Sequence, residues 1–435
     1  MRRFGVALLG LVLLGALAVR AIPADAADVS RARLPNGLTV LVRENSAAPV
    51  VAISLGVRMG TRWETPETAG LSNFLQLMVV RGTASRSGIQ IVEEAQRLGG
   101  IIDAVGDQDW SEISATALSR HWKGILEMVA DVALHPSLDE GLIDGIKEFL
   151  LRQIRNRAEK PYAVAFDTLM QSLFGQHPYA WDPLGRRESV ERVDHAALLA
   201  HYRRHYVPGG MVLAVSGRVR APAVIAEAER LFGGAPAGQP PPASTVEPPA
   251  AVASRDVRDV PGAQAQILTG ALAPSLTHPD YPALQVLSTV LGGGMAGRLF
   301  SELRDTQALA YTTRTLYPSL VDRSYFVSQL GTAPENLERA EASLKKELDR
   351  LRQEPPSADE LRVAKAYLLG NLAMDRRTNA RQAWYLATFE LAGVGYEFLD
   401  RYVTAVERVS PADVQRAART YLGTIRESVA RPPIR

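Results

Sequence analysis

Cysteine is missing from all 435 residues, which excludes disulfides, a thiol nucleophile and thiolate metal sites. A surplus of charge is missing too. The formal net charge is +2, and Arg2, Arg3 and Arg20 against Asp25 account for all of it, so the chain beyond residue 26 is neutral. With no long basic run there is no electrostatic case for nucleic acid. No Gly-x-Ser-x-Gly elbow marks a serine hydrolase. The run Gly292-Gly293-Gly294 is not followed by Gly-Lys-Ser/Thr, so it reads as a flexible turn and not a phosphate cradle. The apolar stretch Val6 to Val19 is ended by Arg20 and falls short of the roughly 18 residues that span a bilayer.

That short stretch follows Arg2 and Arg3 and precedes Ala24-Asp25-Ala26, the pattern of a secretory signal cut after residue 26. It implies an exported, periplasmic chain with no stable membrane anchor after cleavage. Hydrophobic residues make up 46% of the sequence, enough for large cores, so an exported chain without disulfides can be held by packing alone.

Between Val29 and Val57 the pattern reads as two strands, Leu38 to Val42 after the Pro35-Asn36-Gly37 turn and the β-branched run Val50 to Val57. Helices are expected from Leu71 to Gly82, Ile89 to Leu98, Arg120 to Arg157 with a break at His135-Pro136, Tyr162 to Phe174, Val190 to Tyr206 and Ala221 to Phe232. A hairpin spans Ile101 to Ala117, and Met211 to Ser216 is an apolar strand. Residues 233 to 253 are dense in proline and read as a stiff extended linker. Beyond them the same order of elements returns. The architecture expected is α+β: two similar domains, each an antiparallel sheet packed with helices, arranged as a clam around a central cavity. The divisions are 1–26 signal, 27–233 first domain, 234–256 linker and 257–435 second domain.

One helix stands out. Leu71, Phe74, Leu75 and Met78 repeat at the spacing of a buried face. Asn73, Gln76 and Leu77 stand at i, i+3 and i+4, so they share another. His201 and His205, also four apart, read as a solvated helix face, and His177 before Pro178 as a structural loop residue.

Several stretches, in order, resemble the pitrilysin/insulinase family of zinc metallopeptidases in its short-subunit form. They are Gly60 to Thr83; Leu98-Gly99-Gly100; His177-Pro178-Tyr179 with Pro183-Leu184-Gly185; Tyr206-Val207-Pro208; Leu291 to Met295 with Arg298-Leu299-Phe300; and Leu309-Ala310-Tyr311. The resemblance places the family's inverted His-x-x-Glu-His zinc motif on Asn73-Phe74-Leu75-Gln76-Leu77 and its third ligand, a glutamate, on Gln153. Zinc needs imidazole or carboxylate donors, and none of these positions offers one. No metal is expected in this chain. The family's substrate-facing strand carries Asp103 where active relatives commonly have asparagine, a departure that argues against peptide binding by this domain. The family's arginine and tyrosine, which bind substrate backbone and help stabilise the oxyanion, fall on Arg298 and Tyr311. The resemblance therefore implies a non-catalytic subunit whose zinc-bearing partner, of the same family, holds the metal and the peptide. The alternative is a proteolytically inactive structural or assembly protein of the same shape.

Overall fold

A computed structural model describes residues 29–433; the expected signal segment lies outside the described residues. The first half runs β1 (Val29–Arg33), β2 (Thr39–Glu44), β3 (Val50–Val57), α1 (Leu71–Val79), α2 (Gly88–Arg97), β4 (Ile101–Gly106), β5 (Ser111–Leu118), α3 (Trp122–Leu134), α4 (Ile143–Ala158), α5 (Pro161–Phe174), α6 (Arg187–Glu191), α7 (His195–His205), β6 (Met211–Gly217) and α8 (Ala221–Phe232). The second half runs β7 (Ser254–Asp259), β8 (Ala265–Ala273), α9 (Tyr281–Gly292), β9 (Thr312–Leu316), β10 (Ser324–Thr332), α10 (Leu337–Gln353), α11 (Ala358–Asp375), α12 (Asn379–Leu391), α13 (Phe398–Arg408), α14 (Pro411–Tyr421) and β11 (Arg426–Arg431). A π-helical segment, Leu299–Thr306, follows the glycine turn.

The strand orders are β1-β2-β6-β3-β5-β4 and β7-β11-β8-β10-β9. Without β1 the two coincide position by position. In each sheet the pairing is antiparallel except for one parallel pair, β2 with β6 and β7 with β11. The parallel pair arises because β6 and β11 are reached by a crossover through several helices, which a hairpin cannot supply. The repeat expected from element order is thus present in topology. Three strands were not anticipated from sequence: β1, β7 and β11 read Val-Ser-Arg-Ala-Arg, Ser-Arg-Asp-Val-Arg-Asp and Arg-Glu-Ser-Val-Ala-Arg. Charge of this density suits the edge strands β1 and β7, and in β11, which lies between β7 and β8, it hides the apolar alternation. The single helix expected over Val190 to Tyr206 is two, because Asp194 caps α7 by accepting the Ala197 amide at 2.8 Å.

Each sheet packs its own helices on one face and a helix of the other half on the opposite face. From the first half, α5 lies on β8 and β11, burying Leu169 and Leu173 with Leu268 and Val327. In return α12 lies on β3 and β6, burying Ala383, Leu386 and Leu391 with Leu41, Val212 and Ala214. The proline-rich connection has no helix or strand from 236 to 253, yet it is pinned along its length. Pro241 accepts the Trp63 indole N–H at 3.1 Å, the Ser244 amide donates to Arg62 at 3.1 Å, and Ala250 accepts Arg426 Nη2 at 2.8 Å.

Candidate functional site

α1 is seated by what precedes it. Glu64, fully buried, accepts the Gly70 amide at Oε2 and the Ser72 amide at Oε1, each at 2.8 Å. A carboxylate there satisfies two of the helix's orphan amides and complements its dipole. Burial pushes the Glu64 carboxyl up, and the two amides oppose that shift. Gly70 has φ 90°, and a Cβ on it would lie 2.7 Å from the Gly185 Cα. Gly185 in turn has φ 86°, with a Cβ position 2.4 Å from the Ala69 carbonyl. The Pro183-Leu184-Gly185 turn is therefore the backbone against which α1 starts.

Gln76 is wholly buried; its Nε2 donates to the Tyr206 hydroxyl at 2.8 Å, while its Oε1 has no partner. Asn73 and Leu77 are half-buried, and Gln153 on α4 is exposed. Leu77 lines an open groove with Ile89, Val92, Ile102 and Asp103. These side chains do not fit zinc. Leu77 has no lone pair to give, and the neutral amide oxygens of Asn73, Gln76 and Gln153 do not replace the imidazole and carboxylate donors that zinc takes. Among the described residues no three His, Cys, Asp or Glu side chains converge as metal ligands.

Beneath α1 lies a polar layer that sequence reasoning misplaced. His201 and His205 are buried, not solvated: His201 Nε2 meets the Ser72 hydroxyl at 3.0 Å, and His205 Nδ1 meets the Arg58 carbonyl at 2.9 Å. The rings are 4.4 Å apart. Burial holds His201 down at about 3 and His205 at about 4, so both are neutral. The missed signal was Leu198, which shares their face at i, i+3 and i+7.

The second half holds the other two expected site residues in contrasting states. Arg298 follows the turn Gly292 to Gly297 and is only 6% exposed. Its Nε and Nη2 donate to Glu360 Oε1 and Oε2 at 2.6 and 3.1 Å, and Nη1 is buried without a partner. Glu360 closes a capping box at the start of α11, accepting the Ser357 amide at 2.8 Å. Desolvation raises its pKa, but Arg298 and the Ser357 amide outweigh that and hold it at about 2. Tyr311 is 58% exposed. Its amide donates to Gly331 at 2.8 Å and extends β9 along β10, while its carbonyl accepts Arg304 Nη1 at 3.3 Å. Tyr311 is thus open to solvent and Arg298 is closed.

A third cluster joins the halves. Arg62 donates to both oxygens of Asp322 at 2.6 and 2.7 Å. Asp109 accepts the Tyr179 hydroxyl and, at 2.9 Å, the Val321 amide. Burial raises Asp109 to about 6. His177, expected to be structural, accepts the Tyr179 amide at 3.1 Å and lies 4.0 Å from Asp322. The His177-Pro178-Tyr179 stretch is therefore a joint between the two sheets.

Comparison with known proteins matches two consecutive stretches of the chain, the second of which begins inside the first half. Residues 39–184 match the family model described as insulinase (peptidase family M16), and residues 192–368 match the one described as peptidase M16 inactive domain. An uncharacterized zinc protease of Bacillus subtilis, YmxG, is 26% identical over 391 residues, covering 90% of this chain and 95% of its own. An uncharacterized zinc protease of Rickettsia bellii is 26% identical over 408 residues, 92% and 97% of the two chains. Among solved structures, a peptidase M16 inactive domain from Pseudomonas fluorescens superposes with TM-score 0.87 at 23% identity, covering 94% of this chain and 99% of that one. A protease from Helicobacter pylori gives TM-score 0.87 at 20% identity, covering 93% and 100%.

Proposed function

The chain belongs to the M16, or insulinase, family of peptidases, and from that membership we propose that it is the non-catalytic subunit of a zinc peptidase. The observation that carries this reading is the set Asn73, Gln76 and Leu77 on α1 with Gln153 on α4: no imidazole or carboxylate is left at any of the four, on helices that are otherwise fully formed. An isolated mutation would spoil one ligand and leave the rest. Here the whole set is replaced while Glu64, Gly70 and Gly185 still seat the helix.

In this reading a partner of the same family supplies zinc and the general base, and Arg298 and Tyr311 supply donors to the peptide it holds. A guanidinium and a phenol suit that role because both donate to a carbonyl oxygen as it gains negative charge. The N-terminal signal pattern supports a periplasmic location for such a complex. A second reading, a structural or assembly protein without peptidase work, is favoured by one observation, the enclosure of Arg298 by Glu360.

Mixing decides between them. The chain is purified alone and with a family member that carries an intact His-x-x-Glu-His motif, and hydrolysis of unstructured peptides is followed with and without a chelator. The subunit reading expects activity from the mixture well above that of the partner alone. Arg298→Ala should lower it by about a hundredfold and Tyr311→Phe by about tenfold. Equal activity with and without this chain leaves the structural reading standing.

A further inference from the structure

Arg298 emerges from a turn that cannot itself fix a side chain. Gly292, Gly293, Gly294 and Gly297 precede it, Gly294 sits at φ 71°, and Met295 between them is 77% exposed. Orientation must come from outside the turn. Resting on the subunit reading above, we propose that Glu360 is the positioning residue for Arg298, and that it leaves Nη1 as the one donor for a peptide carbonyl oxygen.

Three features carry this. A guanidinium presents its donors in one rigid plane, so the two bonds from Nε and Nη2 to Glu360 fix that plane and direct Nη1 away from it. Glu360 is itself immobile: its carboxylate and amide close the capping box with Ser357 at the head of an 18-residue helix, and Leu361 beside it is buried. The third feature is the unpaired Nη1. Arg298 is more than nine-tenths buried, and a buried donor without an acceptor calls for an explanation in a native protein. Glu360 pairs the charge, and the buried Glu347 carboxylate acts on the same guanidinium, so what Nη1 lacks is a neutral acceptor and not another anion. Nη1 suits the carbonyl of a peptide bond better than a terminal carboxylate. Glu360 stays ionised at every working pH, since its pKa is held at about 2.

Glu360→Gln is the informative variant. Glutamine serves at the third position of a capping box, so α11 keeps its start while the charged fork is lost. In the mixture with the zinc-bearing subunit, Glu360→Gln should lower kcat by about tenfold with KM within about twofold of wild type. Ser357→Ala, which weakens the cap and keeps the carboxylate, should leave kcat within about twofold. On the chain alone, phenylglyoxal should spare Arg298 in the wild type and modify it about tenfold faster in Glu360→Gln, read by peptide mass spectrometry. The inference alone is overturned if Arg298→Ala abolishes stimulation while Glu360→Gln leaves kcat unchanged or raises it. Equal protection of Arg298 in both chains overturns it as well, with no partner needed. A wild-type chain that adds nothing to its partner overturns the subunit reading and this inference together.

Discussion

His201 and His205 are the residues whose chemistry the pH reaches first. Both stay neutral in the folded chain at about 3 and 4, whereas an unfolded histidine titrates near 6.5. Below that value the unfolded state binds protons that the folded state refuses, so stability is complete above about pH 6.5 and falls as the pH drops toward the folded values. The loss is on the order of 2 kcal/mol per histidine at pH 5. Asp109 works in the opposite direction. Its folded pKa of about 6 lies above the unfolded value near 3.9, so its contribution grows as the pH falls through 6. Urea denaturation at pH 7.5 and 5 should show a net acid loss in the wild type. A His201→Gln, His205→Gln chain should lose that slope and reveal the weaker, reversed one from Asp109. A wild-type stability that does not change between the two pH values would contradict the burial of the pair.

At the scale of elements, α1 shows what a sequence can and cannot disclose. Its apolar face was legible because Leu71, Phe74, Leu75 and Met78 recur at helical spacing, and all four are buried. The repeat of the two halves was legible in element order, since the strands β3 and β8 are mostly apolar and buried along their length. The strands β1, β7 and β11 were not legible, because their place is set by pairing with neighbours and not by their own hydrophobicity. The enclosure of Arg298 was hidden for a similar reason: Glu360 is 62 residues away, and no local pattern links them. Glu64 acts over only six and eight residues, yet its role was hidden too, because it depends on how the loop folds back over the helix start. Replacing Glu64 by Ala leaves two buried amides unpaired, and a loss of about 1–3 kcal/mol is expected. Thermal unfolding checks it; an unchanged Tm would show that the helix is seated by Gly70 and Gly185 alone.

The whole molecule is tied by exchange. Because α5 covers the second sheet and α12 covers the first, neither half is a closed unit. Expressed separately, residues 29–233 and 254–433 should be insoluble or bind a hydrophobic dye strongly. Co-expressed, they should assemble into a soluble complex with a single cooperative melt. Soluble, cooperatively folding halves would show that the exchanged helices are dispensable. The Arg62–Asp322 fork and the bond from the Val321 amide to Asp109 lie across the same joint, so they order once the exchange is made. There is also a consequence in time. A chain made from its N-terminus completes the strands of its first sheet at Gly217, but Leu41, Val212 and Ala214 receive their cover only when Ala383, Leu386 and Leu391 have been synthesised. The first half to be made must therefore wait for most of the second, and almost the entire polypeptide must exist before either sheet can be sealed.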